Sequence, residues 1–168
     1  MIEPVNIEPI WPNGARLALS IVVNVEEGAE MSVADGDSRA EAVDEMGMMV
    51  KPGIRNFSNE SNYAYGIKAG APRIMDILTR CNLPATFTAA AQSLERAPNI
   101  AKRITDDGHE TCAHGYRWQV QHNMDEDAER EFIRRAAQSI EQTTGTRPVG
   151  WLSRYLFTAN TRRLLIEE

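Results

Sequence analysis

Residues 17–25 (LALSIVVNV) form a continuous apolar run that ends abruptly at two glutamates, Glu26 and Glu27. An unbroken run is typical of a parallel strand that is buried on both faces, because a half-exposed strand would alternate apolar and polar residues. Asn24 is the polar exception, and the two-residue period of a strand places it on the same side as Glu26. Ligands of α/β sheets bind at the carboxyl ends of strands, so this run predicts a strand that delivers polar groups to a site. The alternative is a solvated acidic loop that includes Glu30.

Strand and helix signals alternate through the remainder of the chain. Apolar residues at helical spacing predict helices, and short apolar runs bounded by turn residues predict strands. The predicted helices cover residues 71–81, 98–107, about 123–145 and about 160–166, and the predicted strands cover residues 84–91, 109–114 and 149–152. Alternating elements with short connections predict a parallel sheet with right-handed crossovers, and therefore an α/β layer fold or part of a barrel in one domain.

Local signals place several helix ends and apolar faces. Asn82 and Gly145 are expected to end helices, and Asn123 with Glu126 resembles a capping box. The stripe of the first helix is expected to be apolar and inward, and it comprises Ile74, Met75, Ile77, Leu78 and Cys81. Cys81 and Cys112 are expected to be buried small hydrophobic residues in a reducing compartment, with no disulfide between them.

The segment at residues 28–70 has no clear periodicity and carries Met46, Met48 and Met49. Loops of this length are usually functional or disordered, and in a barrel they lie over the catalytic face. We expect a lid or an oligomer contact here, and the alternative is a mobile loop without a role.

Charge and composition exclude several classes of function. The net charge is −6 and the chain has no basic stripe with interleaved aromatic residues, which argues against a nucleic-acid or membrane-surface partner. The N-terminus lacks the basic and apolar regions of a secretion signal, and no run approaches the length of a membrane span. A soluble enzyme in the cytoplasm is the expectation.

A second set of polar groups follows another predicted strand, at residues 109–118 (HETCAHGYRW). The segment looks like a metal-binding strand end in which the second histidine has become Trp118. Because parallel strands end at the same edge of a sheet, His114 is expected to lie beside the glutamates at positions 26 and 27. His109 faces the opposite way by alternation, so we expect it to have a packing or capping role.

These residues resemble the polysaccharide deacetylase (NodB homology) superfamily, and within it the subgroup that includes metal-independent allantoinase and related cyclic-amide hydrolases. Residues 24–28 correspond to the family motif Thr-Phe-Asp-Asp-Gly, and residues 114–118 correspond to His-Ser/Thr-x-x-His. Residues 150–154 correspond to a strand end that contains an arginine. Residues 60–70 and 160–165 resemble the allantoinase-like subgroup.

The resemblance implies a deformed (β/α) barrel of the NodB type, of which this chain supplies about the N-terminal half. Residues 1–168 then form a single deacetylase-like domain that is C-terminally truncated. An open half barrel exposes a parallel strand edge, which favours association. We therefore expect a homo-oligomer, and the alternative is an inactive fragment or a partner-binding member.

The departures from the family motifs concern the metal. In metal-dependent deacetylases an aspartate and two histidines hold a divalent ion, but here Glu27 stands at the aspartate position, His114 is retained and Trp118 replaces the second histidine. An indole has no lone pair for zinc, and two protein ligands fall short of the usual three. The expectation is an enzyme without a cofactor. The alternative is a zinc-dependent carbohydrate N-deacetylase in which Glu27, His114 and His122 hold the metal.

The resemblance also implies roles for individual residues in a metal-free hydrolysis of a small cyclic amide such as allantoin, a hydantoin or a cyclic imide. Glu26 or Glu27 would take a proton from water, and His114 would orient that water or protonate the leaving nitrogen. The expected substrate-binding residues are Asn24, Glu60, Tyr65, Lys68, Trp118, Trp151 and Arg154. The two tryptophans would wall the pocket and donate indole N–H groups, while Arg154 or Lys68 would stabilise the oxyanion. Core packing of both tryptophans is the alternative.

Overall fold

The computed structural model describes residues 11–42 and 49–168. A three-stranded parallel sheet has the order β1-β2-β3, with β1 at Val22–Val25, β2 at Thr86–Ala89 and β3 at Glu110–Ala113. The register aligns Val25 with Ala89 and Ala89 with Ala113. All three strands therefore end at one edge of the sheet, which is where the sequence places the polar clusters.

Six α-helices accompany the sheet in the described ranges, and their bounds are α1 Phe57–Tyr65, α2 Ala71–Cys81, α3 Ala91–Arg96, α4 Pro98–Asp106, α5 Glu126–Thr144 and α6 Thr161–Glu167. A π-turn at Gly66–Gly70 joins α1 to α2, and short 3-10 turns lie at Pro12–Gly14 and Val33–Asp35. The predicted alternation of strands and helices is confirmed.

The core lies around the central strand β2. Phe87 is fully buried there and belongs to one apolar cluster with Met75, Leu94, Ile104 and Ile140. Burying an aromatic or large aliphatic side chain contributes about 1.5–3 kcal/mol each, so this cluster fixes how the helices cover the sheet.

The predicted strand at residues 17–25 is shorter in the structure. Only Val22–Val25 pairs with β2, and Leu17 and Leu19 are 76% and 80% exposed. The prediction of burial on both faces was wrong for the first half of this run, because β1 is at the edge of the described sheet and nothing in the described chain covers those side chains.

Two other predicted strands also change. The strand predicted at residues 84–91 is too long, because the observed β2 ends at Ala89 and Ala91 already begins α3. The strand predicted at residues 149–152 is reduced to a single parallel bridge between Ala113 and Trp151, and Val149 is 91% exposed. Two backbone hydrogen bonds of this bridge, at 2.8 and 2.9 Å, still hold the segment beside β3.

The predicted helix ends at Asn82 and Gly145 are confirmed, since both adopt the left-handed conformation with φ of 51° and 76°. The predicted capping box was wrong: the N-cap of α5 is Asp125, whose carboxylate accepts a hydrogen bond from the Ala128 N–H at 2.9 Å. Asp125 is the residue that directly precedes the first helical turn, which is where a cap is required.

The apolar stripe of α2 is only partly inward. Met75 and Leu78 are buried, whereas Ile74, Ile77 and Cys81 are exposed. The predicted burial of Cys81 was therefore wrong, because it lies in the last turn and beyond the part of the helix that contacts the core. Cys112 is half-buried, and burial raises the pKa of its thiol.

The long segment at residues 28–70 is largely irregular in its described residues before position 57. Its described residues up to 42 are held by two arginines from elsewhere in the chain. Arg117 makes hydrogen bonds of 2.7 and 2.9 Å to Asp37, and Arg96 donates to the Gly28 carbonyl at 2.6 Å. Its last fourteen residues form α1 and the π-turn. Met46 and Met48 lie outside the described residues, and Met49 is exposed.

A membrane-crossing segment is absent from the described residues, where every helix is too short or too polar for that role.

Candidate active site

The ends of β1 and β3 open into a cavity of about 330 Å³. Its lining residues are Asn24, Glu26, His114, Trp118, Leu152, Ser153, Arg154 and Tyr155. A volume of this size suits a small molecule. The structure thus brings together five of the residues that the sequence nominated: Asn24, Glu26, His114, Trp118 and Arg154.

Glu26 and His114 form the polar centre of this cavity. His114 is 5% exposed, and its Nδ1 lies 2.6 Å from the Leu152 carbonyl oxygen. A carbonyl only accepts, so Nδ1 carries a proton and donates it. The other ring nitrogen, Nε2, lies 3.1 Å from Oε1 of Glu26. A carboxylate oxygen and an unprotonated ring nitrogen both only accept, so a hydrogen bond between these two atoms requires one proton, either on the imidazole or on the carboxyl group.

Asn24 supports this pair from the same strand. Its Nδ2 donates to Oε1 of Glu26 at 3.1 Å, which confirms that the two side chains lie on one side of the strand. Its Oδ1 accepts a hydrogen bond from the hydroxyl of Thr88, the residue opposite it on β2. The sequence reading missed Thr88, although parallel register and strand alternation together place it there.

Glu27 turns away from the His114 ring. Its Oε2 accepts a hydrogen bond from the Glu26 N–H at 3.1 Å. Its carboxylate lies against Gly66 in the π-turn so closely that a Cβ at that position would be 2.3 Å from Oε1. Burial raises the pKa of Glu27, because the charged form loses hydration. This carboxylate does not line the cavity described above.

Arg154 forms the second charged group of the cavity. Its guanidinium makes two hydrogen bonds to the Glu41 carboxylate, at 2.9 and 3.0 Å, and donates to the Trp118 carbonyl oxygen at 2.6 Å. The same guanidinium lies 3.6 Å from the centre of the Trp118 ring. Glu41 is 4% exposed, so this is a largely buried ion pair. The sequence reading missed Glu41 because nothing in an aperiodic segment distinguishes one acid from another.

Tyr63 was also missed, although it contacts Trp118, a residue of the cavity lining. Its ring meets the Trp118 ring edge to face, with centroids 6.5 Å apart. Burial is the largest cause that raises the pKa of Tyr63, and the charges of Glu41 and Glu30 add to it. Its hydroxyl is therefore a neutral donor. The usable sequence signal was the four-residue spacing of Asn59 and Tyr63, which puts both on the inner face of α1.

Four other nominated residues lie elsewhere. Glu60 pairs with Arg55 at 2.6 Å on the surface, and both Tyr65 and Lys68 are exposed. The indole N–H of Trp151 donates to Ser153 at 2.9 Å, while its ring packs against Phe132. The core alternative fits Trp151 better than a pocket wall. His109 packs against the Phe87 ring with centroids 5.1 Å apart, so its predicted packing role is confirmed.

A family model described as polysaccharide deacetylase matches residues 61–167. The chain belongs to the polysaccharide deacetylase family. This match covers the ends of β2 and β3, and its fold is of the NodB type.

Solved structures and curated proteins add detail to the family assignment. A probable polysaccharide deacetylase from Pseudomonas aeruginosa PAO1 is 42% identical with a TM-score of 0.86, and the match covers 96% of this chain and 54% of that one. The Puue allantoinase is 40% identical with a TM-score of 0.85 and the same coverage. A Schizosaccharomyces pombe protein named "Putative polysaccharide deacetylase" is 31% identical, over 98% of this chain and 52% of its own length. The chain therefore spans about half the length of these relatives.

The side chains at the deacetylase motif positions do not fit a catalytic zinc site. His114 uses Nδ1 for the Leu152 carbonyl and directs Nε2 toward Glu26, while Glu27 faces Gly66. His122 is exposed and is not part of the cavity lining. In the part of the chain that the structure describes, no three His, Cys, Asp or Glu side chains are grouped so that they could hold a metal ion. A zinc site made of Glu27, His114 and His122 would require all three to reorient.

Proposed function

We propose that this polysaccharide deacetylase family member is a hydrolase that opens a small neutral cyclic amide at its C–N bond, with protein side chains in place of a metal. The observation that carries the proposal is the Glu26–His114 pair, which shares one proton at the cavity where the second metal-binding histidine of the family motif is Trp118. The 40% identity to an allantoinase structure supports a cyclic-amide substrate.

In the proposed reaction Glu26 starts as a carboxylate, and the ring of His114 starts with a proton on both nitrogens. Glu26 takes a proton from water while the water oxygen bonds to the amide carbon. The C–N bond then breaks, and the Nε2 proton of His114 passes to the leaving nitrogen. The product is an open-chain carboxylic acid with a freed N–H. Glu26 then holds the proton that it took from water, and transfer of a proton from Glu26 to His114 restores the starting state.

The charges around the cavity favour a neutral substrate. The guanidinium of Arg154 is already paired with Glu41 through two hydrogen bonds, so it does not present an uncompensated positive charge to an anion. Trp118 offers a flat ring and an indole N–H, which suit a planar heterocycle and its carbonyl oxygen. Tyr63, whose ring packs against Trp118, is neutral and adds no charge there.

A metal-dependent carbohydrate N-deacetylase is the second candidate, and the family match favours it. In that reaction the ion would polarise an acetamide carbonyl and the products would be acetate and a free amine. This candidate requires Glu27 to leave Gly66 and a third ligand to approach His114.

One set of assays separates the two candidates. Purified protein is assayed with allantoin, a hydantoin, a cyclic imide and an N-acetylated chitooligosaccharide, with and without chelator, after its metal content is measured. Ring opening that resists the chelator is the expected result. Zinc-dependent release of acetate would contradict the proposal and support the second candidate. Absence of turnover with all four compounds would indicate an inactive or partner-binding member.

The homo-oligomer and the cytoplasmic location stay predictions. Sedimentation equilibrium of the purified protein tests the first of them, and a mass of one chain would contradict it.

A further inference from the structure

Thr88 lies behind the candidate catalytic carboxylate, and it is 4% exposed. It faces Asn24 across the β1–β2 pairing and donates its hydroxyl proton to Asn24 Oδ1. Asn24 in turn donates from Nδ2 to Oε1 of Glu26 at 3.1 Å. A chain of two hydrogen bonds thus connects the centre of the sheet to the site.

The donor and the acceptor in each of these two hydrogen bonds follow from the chemistry of the three side chains. A side-chain amide has a donor end and an acceptor end, and a half-turn about its last bond exchanges them. A carboxylate accepts only, so the donor end of Asn24 must face Glu26. Its acceptor end then faces Thr88, whose hydroxyl satisfies it. Asn24 is itself exposed, and among the described residues only Thr88 and Glu26 hold its amide through side-chain hydrogen bonds. Without the Thr88 hydroxyl, the amide would be held at one end only.

Two hydrogen bonds meet at the same atom of Glu26. Oε1 accepts from Asn24 and lies 3.1 Å from Nε2 of His114, and neither contact uses Oε2. A carboxylate held at one oxygen from two directions has a fixed plane, and that plane determines where the other oxygen points. Catalysis by a base is sensitive to such placement, since a misplacement of about 1 Å can cost about 100-fold in rate.

We propose that Thr88 is a positioning residue: it holds Asn24 in the orientation that anchors Oε1 of Glu26 and presents Oε2 to the attacking water. The inference rests on the proposed function, in which Glu26 is the base. Thr88 acts through Asn24 and does not line the cavity itself.

The test compares Thr88→Val with Thr86→Val. Valine keeps the shape of threonine and removes the hydroxyl. Thr86 is a matched control, because it lies on the same strand and its hydroxyl also bonds a side chain, Glu110 at 2.9 Å, but at the opposite end of the strand. We expect Thr88→Val to lower kcat by about tenfold, with KM and Tm close to those of the parent. Thr88→Ser should restore kcat, and Thr86→Val should leave it unchanged.

Two results would overturn the inference. One is an unchanged kcat in Thr88→Val. The other is a fall in kcat and Tm together that Thr88→Ser does not rescue, because that pattern indicates a general packing role.

A second measurement is independent of turnover. Nitrogen-15 relaxation of the Asn24 side-chain amide should give a high order parameter in the parent and in Thr86→Val, and a lower one in Thr88→Val. If the protein hydrolyses no cyclic amide, the proposed function fails, and this signal still shows whether Thr88 orients Asn24. Equal order parameters in all three proteins would contradict the positioning role.

Discussion

Two clusters of residues form the cavity wall and the support behind it, and they are built in different ways. The strand-end cluster (Asn24, Glu26, Thr88 and His114) comes from three adjacent parallel strands, so the ladder sets each side chain. The loop cluster (Glu41, Tyr63, Trp118 and Arg154) comes from an irregular segment, α1 and two loops that follow strands. The first cluster is rigid because of the backbone, whereas the second depends on its own ion pair and ring contacts.

The clusters also differ in how completely their charged groups are paired within the protein. Both Nη atoms of Arg154 are engaged by Glu41, and one of them also donates to a carbonyl oxygen. In contrast, Glu26 shares a single contact with His114 that needs one proton, and both side chains line the cavity. The strand-end cluster is therefore suited to proton transfer, and the loop cluster is suited to shaping the pocket and to stability.

Removal of the carboxylate from the strand-end cluster should have the largest effect. Glu26→Gln keeps the shape of the side chain but removes the base, and we expect turnover to fall by about 10²–10⁴-fold with little change in Tm. The measurement is hydrolysis of the cyclic amide. Glu27→Gln should retain most activity, because that carboxylate faces Gly66. Glu110→Gln, at the other end of β3, is the control. Loss of activity in Glu27→Gln alone would transfer the base role to Glu27.

Substitutions in the loop cluster should lower the free energy of unfolding. Glu41→Gln leaves the Arg154 guanidinium largely buried without its carboxylate, and breaking such a pair costs about 3 kcal/mol of unfolding free energy. Urea unfolding measures the loss. Glu60→Gln is a matched control, since the pair of Glu60 with Arg55 is on the surface and should contribute no measurable stability. If Glu41→Gln were as stable as the parent, the ion pair would not hold the loop cluster together.

The two clusters also differ in what the sequence predicted. The strand-end cluster was predicted from two apolar runs that end in polar residues. Strand alternation determines the side on which each side chain lies, and parallel register determines its neighbours on the next strand. Residues 26 and 114 are 88 positions apart, yet their meeting was expected. The loop cluster was predicted only in part. Trp118 and Arg154 follow strands, whereas Glu41 lies in an aperiodic segment where no local pattern shows which acid will meet which base.

The segment at residues 60–70 illustrates the same limit. The resemblance nominated Glu60, Tyr65 and Lys68, and the structure directs Tyr63 at Trp118 instead. The rotation of α1 about its axis decides which of its side chains faces Trp118, and the local sequence does not give that rotation. Contacts with distant residues set that rotation, and among them is the contact of Glu27 with Gly66.

That contact holds the turn after α1 against the end of β1, and substitution of the glycine can break it. An alanine Cβ at position 66 would lie 2.3 Å from Oε1 of Glu27, so Glu27 would have to swing away and lose its hydrogen bond from the Glu26 N–H. We expect Gly66→Ala to destabilise the protein by about 1–2 kcal/mol. Gly70→Ala is the matched control, because its Cβ would be 3.9 Å from the nearest such atom and alanine favours a helix by about 1 kcal/mol. A result in which both variants are equally stable would show that Glu27 does not dock α1.

Acid should slightly weaken the ion pair of Asp37 with Arg117, which holds the irregular segment near the cavity, and leave the strand ladder unaffected. The hydrogen bonds from Arg117 hold the pKa of Asp37 below its ordinary value, with further help from the Ser32 N–H. A carboxyl group with a lowered pKa contributes stability above its unfolded pKa and loses it as the pH falls through the folded pKa. Asp37→Asn should therefore cost about 1 kcal/mol at about pH 7 and less at about pH 2, because the stability that the parent draws from this charge is lost as the pH falls through the lowered pKa. Urea unfolding at the two pH values measures the difference, with Asp106→Asn in an exposed pair as the control. A cost that is equal at both pH values would mean that Asp37 acts through its shape and not through its charge.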